Sequence, residues 1–362
     1  MSKEDTIKKI QAIALHIRKS IEEEKAPILT TPIRSLTNVT YNEQEGYFVL
    51  GQSTKERHLN ASTIKTFAQT VLLLNEAKNV IKKDDMMTKR EAYYVSKNWE
   101  DAKFNEQPES DAVMDDIEAM LGVQREALGF IPEEDGGAVA GKLIIIDKDP
   151  DTGEDIRIDC TKFGSGAYNI PADVEELRFE TKAQFILAIE TAGMFQRLVK
   201  HKFFTQENCI LVSMKGVPSR ATRRFIRRLA DDKKIPVYVF TDGDVYGYTN
   251  IYRTLKVGSG NAAHVNEYFC VPQAQFIGVT PQDIETYQLP SHNLKDVDIK
   301  RGKDAIKNDP FIQHHKEWES AIKQMLKMGV RAEQQALAKW GLNYVLEEYL
   351  PQKLKKPDTW LP

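Results

Sequence analysis

The chain has 362 residues, 41% of them hydrophobic and 28% charged, with a formal net charge of −3. That length holds two or three domains with a substantial core, and the composition is that of an ordinary globular protein with no low-complexity tract. Membrane spanning, secretion and a disulfide or zinc scaffold are all disfavoured. No apolar run approaches the roughly 20 residues of a membrane helix, and the opening Met-Ser-Lys-Glu-Asp-Thr-Ile-Lys-Lys9 lacks the apolar stretch of a secretory signal. The three cysteines, Cys160, Cys209 and Cys270, are far apart and predict a reducing, cytoplasmic setting. With so small a net charge, any nucleic-acid surface has to be local.

Residues 3–24 predict an amphipathic helix, with Ile7, Ile10, Ala14, Ile17 and Ile21 on one stripe. After Pro27 and Pro32, Leu36–Tyr41 and Tyr47–Leu50 flank Asn42–Gly46 and read as a β-hairpin. This stretch, 1–69, is expected to be an arm of helix and hairpin. From about Ser62 the period is helical, through Ile64, Phe67, Ala68, Val71, Leu72 and Leu74. Thr88-Lys-Arg-Glu91 fits a capping box and starts a second helix to about Trp99. A third runs from about Glu109 to Leu121 and stops at Gly122. Short apolar runs separated by Gly136-Gly137 and Gly141 then suggest a hairpin. Three helices followed by a hairpin is the order of a winged helix, assigned to 70–147.

From Leu143 onward strands and helices alternate. Leu143–Ile146, Phe185–Ile189, Cys209–Val212, Val237–Phe240 and Tyr268–Val271 read as strands, several of them without the alternation of a half-exposed sheet. Helices are expected over 191–201, 219–231 and 246–256, giving a parallel α/β sheet. The tail from about Asp304 to Tyr349 reads as helical, with Trp318, Met325, Leu337, Trp340 and Leu346 as buried anchors. Residues 148–362 form one expected domain.

In open α/β sheets functional residues gather at the carboxyl ends of strands. Glu190 directly follows Phe185–Ile189, and Asp242 and Asp244 follow Val237–Phe240. Three carboxylates from two strand ends make an all-oxygen site of the kind Mg²⁺ favours. The competing reading makes Asp242-Gly243-Asp244 a turn and Glu190 an acid beside a helix N-terminus. Tyr93 and Tyr94 are both candidate nucleophiles, or two aromatic rings packed between helices. A tyrosine nucleophile needs a cation nearby to favour phenolate, and Arg90 is one turn before either tyrosine. Residues 215–234 carry Lys215, Arg220, Arg223, Arg224, Arg227, Arg228, Lys233 and Lys234 against Asp231 and Asp232. That face suits either solvent or a phosphate backbone. Gly136–Leu143 imitates a phosphate-binding loop, but Leu143 stands where Ser or Thr would hold Mg²⁺. No nucleotide loop is predicted, so any ATP chemistry belongs to a partner.

Four segments together resemble the A subunits of archaeal topoisomerase VI, the type IIB topoisomerases related to the meiotic double-strand-break protein. They are Thr88-Lys-Arg-Glu-Ala-Tyr-Tyr94, Phe185-Ile-Leu-Ala-Ile-Glu190, Gly216-Val-Pro-Ser-Arg220 and Thr241-Asp-Gly-Asp-Val-Tyr-Gly247. The resemblance covers nearly the whole chain. It implies a CAP-like winged-helix domain followed by a Toprim domain, a Rossmann-like parallel α/β fold, within an overall α/β class. It selects Tyr94 as nucleophile with Arg90 beside it, and Glu190, Asp242 and Asp244 as Mg²⁺ ligands. From the basic run itself, Arg220, Arg223, Arg224 and Arg227 are candidate DNA contacts. The resemblance also implies an A₂B₂ assembly on double-stranded DNA: two copies of this chain with two B-subunit ATPases of the GHKL class, each tyrosine meeting the opposite protomer's metal site. The expected activity is ATP-dependent relaxation and decatenation through a 5′-phosphotyrosyl break, in a cytoplasmic, nucleoid-associated enzyme. A Toprim nuclease, or a break-forming transesterase without strand passage, is the alternative. One feature departs from a DNA-reading helix. Residues 106–118 carry Glu106, Glu109, Asp111, Asp115, Asp116 and Glu118 with no basic residue.

Overall fold

The computed structural model describes residues 3–131, 136–164 and 166–362. They form two compact units. The first draws on residues up to Thr40, the stretch from Val49 to about 131, and Gly260–Glu267; the second holds Tyr41–Phe48, the stretch from Gly136 to Ser259, and Tyr268–Pro362.

The first unit is helical. Its core joins Leu73, Leu74, Ala77 and Ile81 of helix Ile64–Lys83 to Val113, Met114, Ile117 and Leu121 of helix Gln107–Leu121, with Phe104 and Phe130 between them. The apolar stripe of Ile64–Lys83 is rotated from the expected one: Leu73 and Ala77 are fully buried, whereas Ile64 and Val71 are exposed. Helix Lys3–Glu22 sends Ile10 into the same core and leaves Leu15 and Ile21 in solvent. Local signals set the helix ends. Gly122 terminates Gln107–Leu121 in the left-handed region at φ 58°, and Asp84 does so for Ile64–Lys83 at φ 55°. Helix Lys89–Val95 begins with the expected capping box: the Glu91 amide donates to Thr88 Oγ1 at 3.1 Å and the Thr88 amide to Glu91 Oε2 at 2.7 Å.

Two pairings have little sequence signal. Ile28–Pro32 runs antiparallel to Thr54–His58, and Met87–Thr88 pairs in parallel with Phe130–Ile131. The expected hairpin does form, with Val39–Asn42 beside Tyr47–Leu50.

The second unit is built on a six-stranded sheet in the order Tyr168–Asn169, Ala138–Gly141, Cys209–Ser213, Phe185–Ile189, Val237–Phe240, Ala274–Phe276. The last four strands are parallel, and the central three are almost wholly buried, as their apolar runs require. Helices Ala192–Lys200 and Arg220–Lys233 follow their strands. Gly247–Tyr252 is a π-helical turn leading into Arg253–Lys256, all within the helix expected over 246–256.

Three expectations are corrected here. The hairpin around Gly136, Gly137 and Gly141 does not form: Ala138–Gly141 instead pairs antiparallel with Cys209–Ser213. Gly137 permits that approach, because a Cβ there would stand 1.9 Å from the Ser213 carbonyl oxygen. Leu143–Lys148 is a strand, but in a separate antiparallel sheet between Arg178–Thr181 and Asp155–Asp159, not in the parallel one. Tyr268–Val271 is no strand; Asn266–Phe269 is a helical turn, and the edge strand is Ala274–Phe276. In the C-terminal region Trp318, Met325, Leu337 and Leu346 are buried as expected, whereas Trp340 is 52% exposed.

Candidate active site

Glu190 and Asp242 leave the carboxyl ends of adjacent parallel strands, Phe185–Ile189 and Val237–Phe240. Adjacency brings them together: Glu190 Oε2 accepts the Asp242 amide at 2.8 Å. Asp244, two residues on, caps the next turn by accepting the Gly247 amide on Oδ1 at 2.6 Å. Burial, then the charge of Asp242 and more weakly those of Asp244 and Glu333, push the Glu190 carboxyl up to about 8 despite the amide bond. Burial, with Asp244 and Glu333, pushes Asp242 to about 6 against the Gln334 amide and Arg331. The carboxylates therefore crowd one another in a partly dry place and are short of positive charge. Such a donor set suits a divalent cation. Among the described residues, no group of three or more His, Cys, Asp or Glu side chains is placed to hold a metal ion; the fold joins Glu190 to Asp242, while Asp244 bonds the Gly247 amide.

Two further residues complete the group. The Gln334 amide donates to Asp242 Oδ1 at 2.8 Å, and its side-chain Nε2 donates to the Phe240 carbonyl at 2.7 Å. Arg331 Nη1 donates to Asp244 Oδ2 at 3.4 Å. Between them Ala332 and Gly243 exchange backbone hydrogen bonds of 2.8 and 3.1 Å. Sequence reading missed both Arg331, 87 residues beyond Asp244, and Gln334, 92 beyond Asp242, neither of which carries a motif.

The candidate nucleophiles belong to the helical unit. Tyr93 is tied down: its hydroxyl donates to the Asn105 carbonyl at 3.1 Å, and Lys97 Nζ sits 3.9 Å from its ring centroid. Tyr94 is 57% exposed, touching the Tyr93 ring edge-on at 5.3 Å between centroids. Arg90 is also exposed, one turn earlier on the same helix.

The acidic helix Gln107–Leu121 is neutralised from within its unit. Asp116, nearly buried, accepts from Arg34 at 3.0 Å, Lys55 at 2.9 Å and Arg57 at 3.3 Å. Asp115 pairs with Arg34 and Arg125, Asp111 with Lys89, and Glu118 with His264.

The arginines of helix Arg220–Lys233 are likewise engaged. Arg224 grips Glu175 at 2.5 and 2.8 Å and donates to the Tyr268 carbonyl at 3.1 Å. Arg227 pairs with Asp231 and donates to the Cys270 carbonyl at 2.7 Å. The guanidinium carbons of Arg220 and Arg223 lie 5.3 and 5.6 Å from the Phe269 ring centroid, with Arg223 buried. This helix stitches neighbouring segments of its own unit together.

With this geometry in view, the chain's likenesses are specific. The family model for the Toprim domain of the topoisomerase 6 A subunit/Spo11 group matches residues 185–354. One described as an all-beta domain in the DNA topoisomerase VI alpha subunit matches 133–183, and one described as type IIB DNA topoisomerase matches 65–130. Among curated relatives, the type 2 DNA topoisomerase 6 A subunit of Methanocaldococcus jannaschii is 56% identical over 98% of this chain and 95% of its own. That of Methanothermobacter thermautotrophicus is 37% identical over 99% of both chains. That of Pyrococcus abyssi is 36% identical over 97% of this chain and 94% of its own. A Toprim domain with its acidic strand ends and full-length similarity of this kind place the chain in the family of type IIB topoisomerase VI A subunits.

Proposed function

We propose that this chain is the DNA-cleaving and religating subunit of an ATP-dependent type II topoisomerase, with Tyr94 as nucleophile. The observation that carries the class is its likeness, end to end, to type 2 DNA topoisomerase 6 A subunits. What supports Tyr94 is the contrast within the tyrosine pair: Tyr93 is held by the Asn105 carbonyl, while Tyr94 is exposed. Among the described residues, nothing in the fold bonds the Tyr94 hydroxyl. A nuclease in which both tyrosines are packing does not account for that exposure.

In this reading the Tyr94 hydroxyl attacks a backbone phosphorus. A tyrosyl O–P bond forms, the bond from phosphorus to the 3′ oxygen breaks, and the phenol's proton ends on the released 3′-hydroxyl. One phosphodiester is exchanged for another, so religation needs no outside energy. Arg90, one turn away, steadies the phosphate and favours the phenolate. Glu190, Asp242 and Asp244 would hold Mg²⁺, which supplies positive charge for the phosphate and the leaving oxygen.

We read the three helices Ile64–Lys83, Lys89–Val95 and Gln107–Leu121 as a CAP-like winged-helix module carrying the nucleophile, supported by their order and by the type IIB topoisomerase likeness over 65–130. The strand expected in its wing, Ala138–Gly141, lies in the other unit's sheet. The module's acidic third helix is not a charge barrier to DNA, since its carboxylates are matched internally. Arg220, Arg223, Arg224 and Arg227 reach phosphates only by giving up internal partners, so their substitution is expected to lower stability as well as DNA affinity. Cutting both strands of a duplex calls for two equivalent nucleophiles on a two-fold axis. We therefore infer a homodimer of this chain with two ATP-binding B subunits, working on double-stranded DNA at the nucleoid in the cytoplasm. Among the described residues, no helix is long and apolar enough to cross a membrane.

Relaxation of supercoiled plasmid by the chain with ATP, Mg²⁺ and its B partner tests the reading. Wild type is expected to relax the plasmid and Tyr94→Phe to bind DNA but leave it supercoiled. Relaxation retained by Tyr94→Phe rules the assignment out.

A further inference from the structure

Arg331 is the one cation the fold sets against the acidic pair of the Asp242–Asp244 loop among the described residues. The Ala332–Gly243 backbone bridge holds its segment in place, so the guanidinium is delivered to Asp244 by the fold and not by a wandering surface chain. Its grip is nonetheless loose. Nη1 stands 3.4 Å from Asp244 Oδ2 and Nε 4.0 Å from Asp298 Oδ2. Nε is buried and has no hydrogen-bond partner among the described residues. Asp244 and Arg331 side chains are only 16% and 23% exposed, so their attraction is not fully screened by water. A long, imperfect, partly buried ion pair on a carboxylate expected to bind metal is a pair that a divalent cation can displace.

We propose that Arg331 is a built-in counter-cation that competes with the divalent metal for Asp244. This rests on the reading of Glu190, Asp242 and Asp244 as metal ligands. Two cations cannot both sit close to one carboxylate oxygen without mutual repulsion, so metal affinity is set partly by the strength of the Arg331–Asp244 pair. Gln334 brings no charge to the group: its backbone amide donates to Asp242 Oδ1.

The test is binding of Mn²⁺ to the full chain without DNA, followed by electron paramagnetic resonance, and of Mg²⁺ by calorimetry. Arg331→Gln is expected to bind roughly two- to fivefold more tightly than wild type, the range a partly screened ion pair supplies. Arg331→Lys, which keeps the charge, is expected to stay near wild type. Asp298→Asn removes the arginine's other anionic neighbour, leaves it wholly to Asp244, and is expected to weaken binding. That opposite sign decides the question if Arg331→Gln fails to fold. Unchanged or weaker binding in folded Arg331→Gln, or unchanged binding in Asp298→Asn, overturns the proposal. Asp242→Asn separates the two levels of inference. If wild type binds no metal, or binds as well as Asp242→Asn does, the metal reading itself falls and takes the Arg331 proposal with it. If Asp242→Asn abolishes binding but the Arg331 and Asp298 variants change nothing, only the competition is wrong.

Discussion

Neighbouring residues on an α-helix point about 100° apart, and that single fact separates Tyr93 from Tyr94. One turns toward Asn105 and the core, and the other toward solvent. The Tyr-Tyr pair was visible in the sequence; which of the two faces outward depends on helix rotation, which a short amphipathic pattern defines poorly. The stripe of Ile64–Lys83, displaced by a similar rotation, is the same problem in another helix. Glu190, Asp242 and Asp244 were legible because strand ends are readable from apolar runs. Arg331 and Gln334 were not, because only the tertiary fold brings them to the aspartates. Gly247 gives a test at this scale. A Cβ there would lie 2.8 Å from the Asp242 carbonyl oxygen and 3.3 Å from Asp244 Oδ1. Gly247→Ala therefore shifts the carboxylates while leaving the charge set intact. Metal-dependent cleavage is expected to fall on the order of 10–100-fold, the scale of a small misplacement in an active site. Circular dichroism should still report a folded chain, and wild-type cleavage by the variant would mean that the loop geometry is not limiting.

At the level of elements, the tyrosine helix Lys89–Val95 is only seven residues long, too short to be stable by propensity alone. It depends on its capping box and on Ala92 in the core. Thr88→Ala is expected to cost about 1 kcal/mol, read as a lower denaturation midpoint, and to reduce cleavage by loosening the turn that carries Tyr94. Unchanged stability would show that the cap contributes little. The capping box was readable because its partners are three residues apart. Elements whose partners are distant were not. Thr54–His58 is almost entirely exposed and polar, so nothing local marks it as a strand until Ile28–Pro32 lies beside it. Leu143–Lys148 has the apolar run of a buried parallel strand, but its neighbours are antiparallel; composition reports burial and not direction. Tyr268–Val271 has strand-favouring residues and forms a helical turn and loop instead, because the adjoining sheet edge is taken by Ala274–Phe276.

For the molecule as a whole, the proposed nucleophile Tyr94 belongs to the helical unit and the proposed metal ligands Glu190, Asp242 and Asp244 to the sheet unit. The helical unit carries its own electrostatic fastening at Asp116, which joins helix Gln107–Leu121 to Lys55 and Arg57 of strand Thr54–His58 and to Arg34. Burial raises the Asp116 carboxyl, but Lys55 and Arg34 outweigh it and hold it below the ordinary value of 3.8. A carboxyl depressed by folding stabilises the fold above its unfolded pKa, and that contribution fades as pH falls through the folded value. Asp116→Asn is expected to cost on the order of 3 kcal/mol near neutrality. Its difference from wild type in denaturant titrations should shrink only below about pH 4. A pH-independent difference would assign the loss to packing instead of charge.

Covalent chemistry at Tyr94 is open to direct test by an SDS-quenched cleavage assay. Supercoiled plasmid is incubated with the chain, its B partner, Mg²⁺ and a non-hydrolysable ATP analogue, with Tyr94→Phe in parallel. Linear DNA with protein on its 5′ ends is expected for wild type and none for the variant. Linear DNA with free 5′-phosphate ends from both proteins would contradict that chemistry and leave a metal-dependent nuclease.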